Sequence, residues 1–167
     1  MKIVPRLAVV LFLLFACVGC DQATKTIATE VLSPSPPLSF MNDLFRLQYA
    51  ENAGAMLSLG ANLPVNVRFF LFTVIAVVLL TGLLLFTLAS RNLSRARVIA
   101  LSIIMGGGFS NLLDRLFHEG VVIDFMNIGV GPIRTGIFNM ADVAITLGMG
   151  ILVYVGIQSQ RGRRPVL

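Results

Sequence analysis

Residues 120–146, GVVIDFMNIGVGPIRTGIFNMADVAIT, carry one aspartate in each of two settings. Asp124 sits in a β-prone loop, VVIDF. Asp142 sits four residues into the last long apolar run, behind Phe138-Asn139-Met140-Ala141. The length and apolarity of that run suit a membrane-spanning helix. An Asp at the centre of such a helix costs roughly 2.5–3.5 kcal/mol, and less near its ends. A carboxylate there is therefore a candidate functional group. The competing reading is a carboxylate at a solvated helix start, where the helix dipole favours it. Position alone does not choose between them.

The rest of the chain has the same character. Of its 167 residues 56% are hydrophobic and 13% charged, about half the charge of an ordinary soluble domain. The mean hydropathy is +0.88. These values indicate a single integral membrane domain, residues 1–167, of α-helical class. Cys17 and Cys20 are too few for a disulfide framework and lack the partners of a zinc site. The net charge of +5 comes without a basic-aromatic patch or a nucleic-acid motif, so no nucleic-acid partner is expected.

In chain order, LAVVLFLLFACVGC (residues 7–20) follows Lys2 and Arg6. It could be a signal peptide, and Val18-Gly19-Cys20 ends like a lipoprotein signal. Three more apolar runs follow, so it reads better as a first span over about 7–26. Residues 27–64 form a segment outside the bilayer. Ser33-Pro34-Ser35-Pro36-Pro37 excludes regular structure there. Phe45, Leu47 and Tyr49 alternate with Arg46 and Gln48, as in a short half-buried strand. Further spans are expected at about 65–89, 98–116 and 139–157. Between them lie a loop at Arg91–Arg97 and a second outer segment at 117–138, with residues 120–136 read as a loop. The expected architecture is four transmembrane helices with a small extracytoplasmic β-containing element.

Charge orients the spans. Eight cations (Lys2, Arg6, Arg91, Arg95, Arg97, Arg161, Arg163, Arg164) share one side with no acid. The other side holds five cations and all eight acids. The positive-inside rule then places both termini in the cytoplasm and the acidic face outside.

Three helix ends at that outer face carry polar sets at helical spacing: Asp21, Thr24 and Lys25; Asn111, Asp114 and Arg115; Asn139, Asp142 and Thr146. Polar faces in a bilayer turn inward, so these three helices should converge, with the second span at the periphery. Gly106-Gly107-Gly108 in the third span suits close helix packing. His118, beside Glu119 in a loop, reads as solvated. There is no HExxH, P-loop or dinucleotide fingerprint. Two aspartates that meet could share a proton and activate water, but 18 residues of separation do not require them to touch.

Five motifs occur in order: Asp21-Gln22-x-Thr24-Lys25, Asn52-x-Gly54-Ala55 with Ser58, Asn111-Leu112-x-Asp114-Arg115, Val122-x-Asp124-Phe125, and Phe138-Asn139-x-Ala141-Asp142. Together they resemble the lipoprotein signal peptidases (signal peptidase II), bacterial membrane aspartyl proteases, over nearly the whole chain. Asp21 directly after Cys20 assigns that end to the first motif rather than to a lipoprotein cleavage site. The resemblance implies removal of the signal peptide from diacylglyceryl-modified prolipoproteins, with the cut just before the lipidated cysteine. It implies Asp124 and Asp142 as the catalytic pair. It implies Asp21, Lys25, Asn52, Gly54, Asn111, Asp114, Arg115 and Asn139 as residues that bind substrate or orient the site. No cofactor or metal is expected, since carboxylates suffice for both proton transfers. The expected partners are lipidated precursors and membrane lipids, and the expected form is a monomer in the bacterial inner membrane. Two positions depart from the family pattern: Ser110 stands where Gly precedes the Asn, and Met56-Leu57 where an aromatic follows the turn. A proton-coupled transporter would instead place acids at mid-membrane and show a repeat. A purely structural protein would tolerate Asp124→Asn.

Overall fold

The computed structural model describes residues 3–55 and 58–161. Lys2, Arg163 and Arg164 of the charge argument, and the Met56-Leu57 departure, lie outside the described residues. Four helices are long and apolar enough to cross a membrane: α1 (Ile3–Leu32), α2 (Val65–Ala89), α3 (Arg95–Phe117) and α4 (Met140–Arg161). A four-stranded antiparallel sheet accompanies them: β1 (Leu38–Phe40), β2 (Phe45–Asn52), β3 (Val122–Val130) and β4 (Ile133–Arg134), in that spatial order. This is the expected fold class, four transmembrane helices with a small β-containing element.

The helices are apolar outside and polar inside. Phe12, Phe15, Leu79, Leu85 and Val153 are exposed, whereas Asp21, Lys25, Ser102, Ser110 and Asp114 are buried. That distribution suits a lipid solvent, in which polar groups gain only by facing one another. Half of the apolar stretch of α3 is buried, against 11% for each of the other three helices, so α3 is the central helix. Its three consecutive glycines each seat a different neighbour. A Cβ on Gly106 would collide with Cys17 of α1, on Gly107 with the Ala141 carbonyl of α4, and on Gly108 with Leu80 of α2. Successive helical residues point about 100° apart, so one small triplet admits three helices.

The peripheral helix is α2, as its lack of a polar set predicts. Leu80 packs with Val10, Val98, Met105 and Leu112. Near one end of α2 a π turn at Phe70–Val74 interrupts the helix. At the other end the buried Arg6 of α1 donates to the carbonyls of Thr87, Leu88 and Ser90. It satisfies acceptors that a helix C-terminus leaves unpaired. Arg6 thus does more than contribute one of the orienting charges.

Two expectations need correction. The first helix does not stop near Thr26 but runs to Leu32. At about 1.5 Å per residue it is roughly 45 Å long, against about 30 Å of hydrocarbon. Its last turns are a pillar: Ala28 and Leu32 pack against Phe125, with Leu47, Tyr49 and Met140 around them. Nor are residues 120–136 a loop. Val122–Val130 is a nine-residue strand paired with β2. Its partner lies some seventy residues upstream, out of reach of a local reading.

The register of that pair places the chemistry. Leu47 faces Met126 and Ala50 faces Asp124, so Gln48 and Tyr49 together oppose Phe125. This bulge re-aims the strand end that carries Asn52 opposite Val122. Farther along, Phe138 bridges back to Met126 through its N–H and carbonyl, at 2.8 Å each. The intervening residues fold away as the β3–β4 hairpin. The start of α4 therefore lies beside Asp124.

Candidate active site

Asn139, the residue immediately before α4, draws the two aspartates together. Its side-chain amide donates to Asp124 Oδ1 at 2.7 Å, and its backbone N–H donates to Asp142 Oδ2 at 3.2 Å. Its side-chain oxygen accepts the Asp142 N–H at 3.0 Å. Asn139 and Asp142 thus form a reciprocal capping box, N-cap to N3. Asp142 thus caps a helix start and also lines a cavity. The Asn111 side-chain amide donates to Asp142 Oδ1 at 3.1 Å, and that of Asn52 to Asp124 Oδ2 at 3.0 Å. Each carboxylate oxygen of the pair therefore accepts one N–H, which fixes both planes.

Beneath the pair lies a buried ionic cluster. Lys25 donates to Asp21 at 2.6 Å, Asp114 at 2.7 Å and Asn111 Oδ1 at 2.9 Å, which uses all three of its protons. Asp21 and Lys25 are one helical turn apart on α1 and face α3, as their spacing predicts. Each of the two acids also accepts a backbone N–H. Asp21 Oδ1 accepts the Ala141 N–H at 2.7 Å, and Asp114 Oδ2 accepts the Ile123 N–H at 3.1 Å. Ala141 precedes Asp142, and Ile123 precedes Asp124. Each buried acid thus grips the main chain one residue before a member of the pair, and Lys25 locks the two acids together.

Arg115 turns away from this cluster, as a neighbour of Asp114 on a helix must. It donates to the Gly54 carbonyl at 2.9 Å and the Asn111 carbonyl at 3.2 Å. Its guanidinium carbon lies 5.9 Å from the centroid of Phe72, in the π turn of α2, within reach of a cation–π contact. Gly54 closes the turn whose N–H bonds the Asn52 side chain at 3.0 Å. A Cβ there would strike the backbone of Ser58 and Leu59.

Reading by motif spacing passed over two contributors. Gln22 donates to Asp114 at 2.7 Å and to the Ser110 hydroxyl at 3.0 Å. Ser110, which replaces the expected glycine, donates to Asp21 at 2.7 Å. The signal available is that Gln22 lies inside the first motif and that Ser110 stands four residues before Asp114, on the same helical face. Thr24, assigned to the polar face, instead bonds carbonyls of its own helix. Thr146 lines the cavity without a bond to the pair. His118 is exposed.

The pair opens into a cavity of about 890 Å³ lined by the polar Asn52, Asn111, Arg115, Asp124 and Asp142 and by the apolar Phe138, Val143, Ile145, Leu147 and Met149 of α4 and its approach. Its polar end is at the carboxylates and its apolar end runs down α4. Burial pushes the Asp124 carboxyl up to about 6, aided by the charge of Asp142 and opposed by the Asn52 and Asn139 hydrogen bonds. Among the described residues no group of three or more His, Cys, Asp or Glu is placed to hold a metal ion. The arrangement can bind an apolar chain beside a polar bond, donate one proton and accept another.

Comparison with known proteins gives a consistent result. The family described as signal peptidase (SPase) II matches residues 13–158. A lipoprotein signal peptidase of Sphingopyxis alaskensis is 38% identical over 148 residues, covering 84% of this chain and 82% of its own. One from Treponema denticola is 35% identical over 159 residues, covering 90% and 92%. Among solved structures, a bacterial membrane enzyme determined by the in meso method at 2.3 Å shares the fold with a TM-score of 0.78 at 21% identity, over 95% of this chain and 93% of that one.

Proposed function

The chain belongs to the signal peptidase II family, aspartic endopeptidases that cleave prolipoprotein signal peptides, and we propose that Asp124 and Asp142 are its catalytic pair. One observation carries the assignment: Asn139 bonds both carboxylates at the polar end of the large cavity. In this reading the pair holds one proton. The two carboxyls share it, and Asp124, pushed up to about 6 by burial, is the member that gives it to substrate. Asp142 is ionised at the helix N-terminus, where the dipole favours a carboxylate. Asp142 takes a proton from water as the water oxygen attacks the scissile carbonyl carbon. Asp124 gives its proton to the carbonyl oxygen. Asp124 then takes back a proton from one hydroxyl of the tetrahedral species as the C=O bond reforms and the C–N bond breaks, and the amine of the new N-terminal cysteine leaves with the proton held by Asp142, which restores the pair.

The apolar end of the cavity suits the signal peptide and the acyl chains of a diacylglyceryl cysteine. Its polar end suits the bond just before that cysteine. The remaining site residues are positioning groups: Asp21, Lys25 and Asp114 through backbone and charge, Asn52, Asn111 and Asn139 through the carboxylates, and Gly54 with Arg115 through the turn. The cation distribution supports a site on the extracytoplasmic face with both termini in the cytoplasm. Completeness of the site within one chain supports a monomer. The direct test is incubation of the purified protein with a precursor in lipidated and unmodified forms, followed by mass analysis. The expected product begins at the lipidated cysteine and forms only from the lipidated precursor. Equal cleavage of the two forms would overturn the substrate assignment.

A further inference from the structure

Ser110 departs from the family pattern, in which a glycine precedes the Asn, and its hydroxyl is used unlike others along these helices. Thr26, Thr29, Thr87 and Ser102 each donate to the carbonyl four residues back in their own helix, the ordinary recourse of a helical hydroxyl. Ser110 instead donates out of α3, to Asp21 Oδ2 of α1 at 2.7 Å. It is fully buried, and a glycine in its place would offer Asp21 no donor. The hydroxyl is oriented from α1 as well. The Gln22 amide donates to its oxygen at 3.0 Å and to Asp114 Oδ1 at 2.7 Å. An amide has two side-chain protons and a hydroxyl one, so every side-chain proton of Gln22 and Ser110 is engaged.

These bonds run beside the Lys25 bridge. Asp21 and Asp114 each receive Lys25, one neutral donor, and the backbone N–H that precedes a member of the pair. Lys25 from α1 and Ser110 from α3 both meet Asp21 Oδ2, which fixes the carboxylate plane and leaves Oδ1 on the Ala141 N–H at 2.7 Å. Without Ser110, Oδ2 keeps Lys25 alone, an ammonium on a flexible stem that also serves Asp114 and Asn111. The plane is then free to turn and loosen its hold on Ala141, the residue before Asp142. We propose that Ser110, oriented by Gln22, is a positioning residue for Asp142. It acts through the plane of Asp21 and the Ala141 N–H, and touches neither substrate nor the pair. The proposal rests on the peptidase reading above.

The test measures kcat and KM on a lipidated precursor for full-length wild type, Ser110→Ala, Gln22→Met and the double variant, at a temperature where each is folded by its own melting curve. Ser110→Ala removes a single atom and should lower kcat about tenfold with KM within twofold, less than the hundredfold that a 1 Å misplacement can cost. Gln22→Met keeps the length of the side chain without its donors and should lower kcat in the same way. Since Gln22 acts through Ser110, the double variant should stay within twofold of the slower single one. A kcat for Ser110→Ala within twofold of wild type, whatever its melting temperature, would overturn the proposal and leave the hydroxyl a contribution to stability alone. A raised KM at unchanged kcat would overturn it equally, and losses that multiply in the double variant would sever Gln22 from Ser110. Gln22 is half-buried, so its variant supplies the kcat reading even if Ser110→Ala fails to fold. Failure of the peptidase reading has a separate signature, cleavage that survives in Asp124→Asn.

Discussion

At the scale of single residues, buried carboxylates outside the proposed pair hold the backbone on which the pair sits. Asp114 is buried, pairs with Lys25 and accepts the Ile123 N–H. Removal of one member of a buried ion pair costs about 3–5 kcal/mol. Asp114→Ala should therefore lower both thermal stability and activity, measured by unfolding in detergent and by cleavage. Wild-type stability in that variant would show that the cluster does not hold the fold. Asp124 carries a pH signature of its own. Its carboxyl is raised from 3.8 to about 6, so between those values the folded protein binds more protons than the unfolded chain. This contribution, at most about 3 kcal/mol, is present at low pH and is lost as pH rises through 6. The melting temperature of wild type relative to Asp124→Asn should thus fall between pH 4.5 and 7.5. A constant difference would mean that Asp124 titrates normally.

At the scale of elements, the helices were more legible than the sheet. Polar sets at i, i+3 and i+4 name the faces that meet, because a lipid solvent leaves such groups no other partner. Gly106-Gly107-Gly108 announces close packing, though not that each glycine seats a different helix. Strand β3 reads as a loop in the sequence because its pairing depends on residues 45–52, and periodicity carries no information about a distant partner. The bulge at Gln48-Tyr49, which puts Ala50 opposite Asp124, has no signature in composition. Nor does spacing alone reveal that Phe138 pairs with Met126 and so spans the 18-residue separation of the two aspartates; the family motifs imply their partnership without showing how it is built. The contact between α3 and α4 gives a direct test. A methyl at Gly107 would press on the Ala141 carbonyl, one residue from Asp142. Gly107→Ala should cost about 1–3 kcal/mol from overpacking and reduce kcat by tenfold or more through displacement of the carboxylate. Full activity would show that α4 yields there without moving Asp142.

At the scale of the molecule, a helical bundle supports a sheet, and the proposed catalytic pair sits where they join: Asp124 from the sheet, Asp142 from the helix. The longest helix, α1, passes through both parts, with Asp21 and Lys25 in the bundle and Ala28 and Leu32 under the sheet. The distribution of cations predicts that this junction faces away from the cytoplasm. Reporter fusions at residues 94 and 127 should then report opposite sides of the membrane, and the same side for both would end that topology. The central claim is that Asp124 and Asp142 act as one unit on the scissile bond. Asn keeps the shape of Asp and removes its exchangeable proton, and losses within one catalytic unit do not add. The decisive measurement is cleavage of a lipidated precursor by correctly inserted Asp124→Asn, Asp142→Asn and the double variant. Each single substitution should abolish cleavage, with the double no worse than either; substantial cleavage by either single variant would show that another group activates the water.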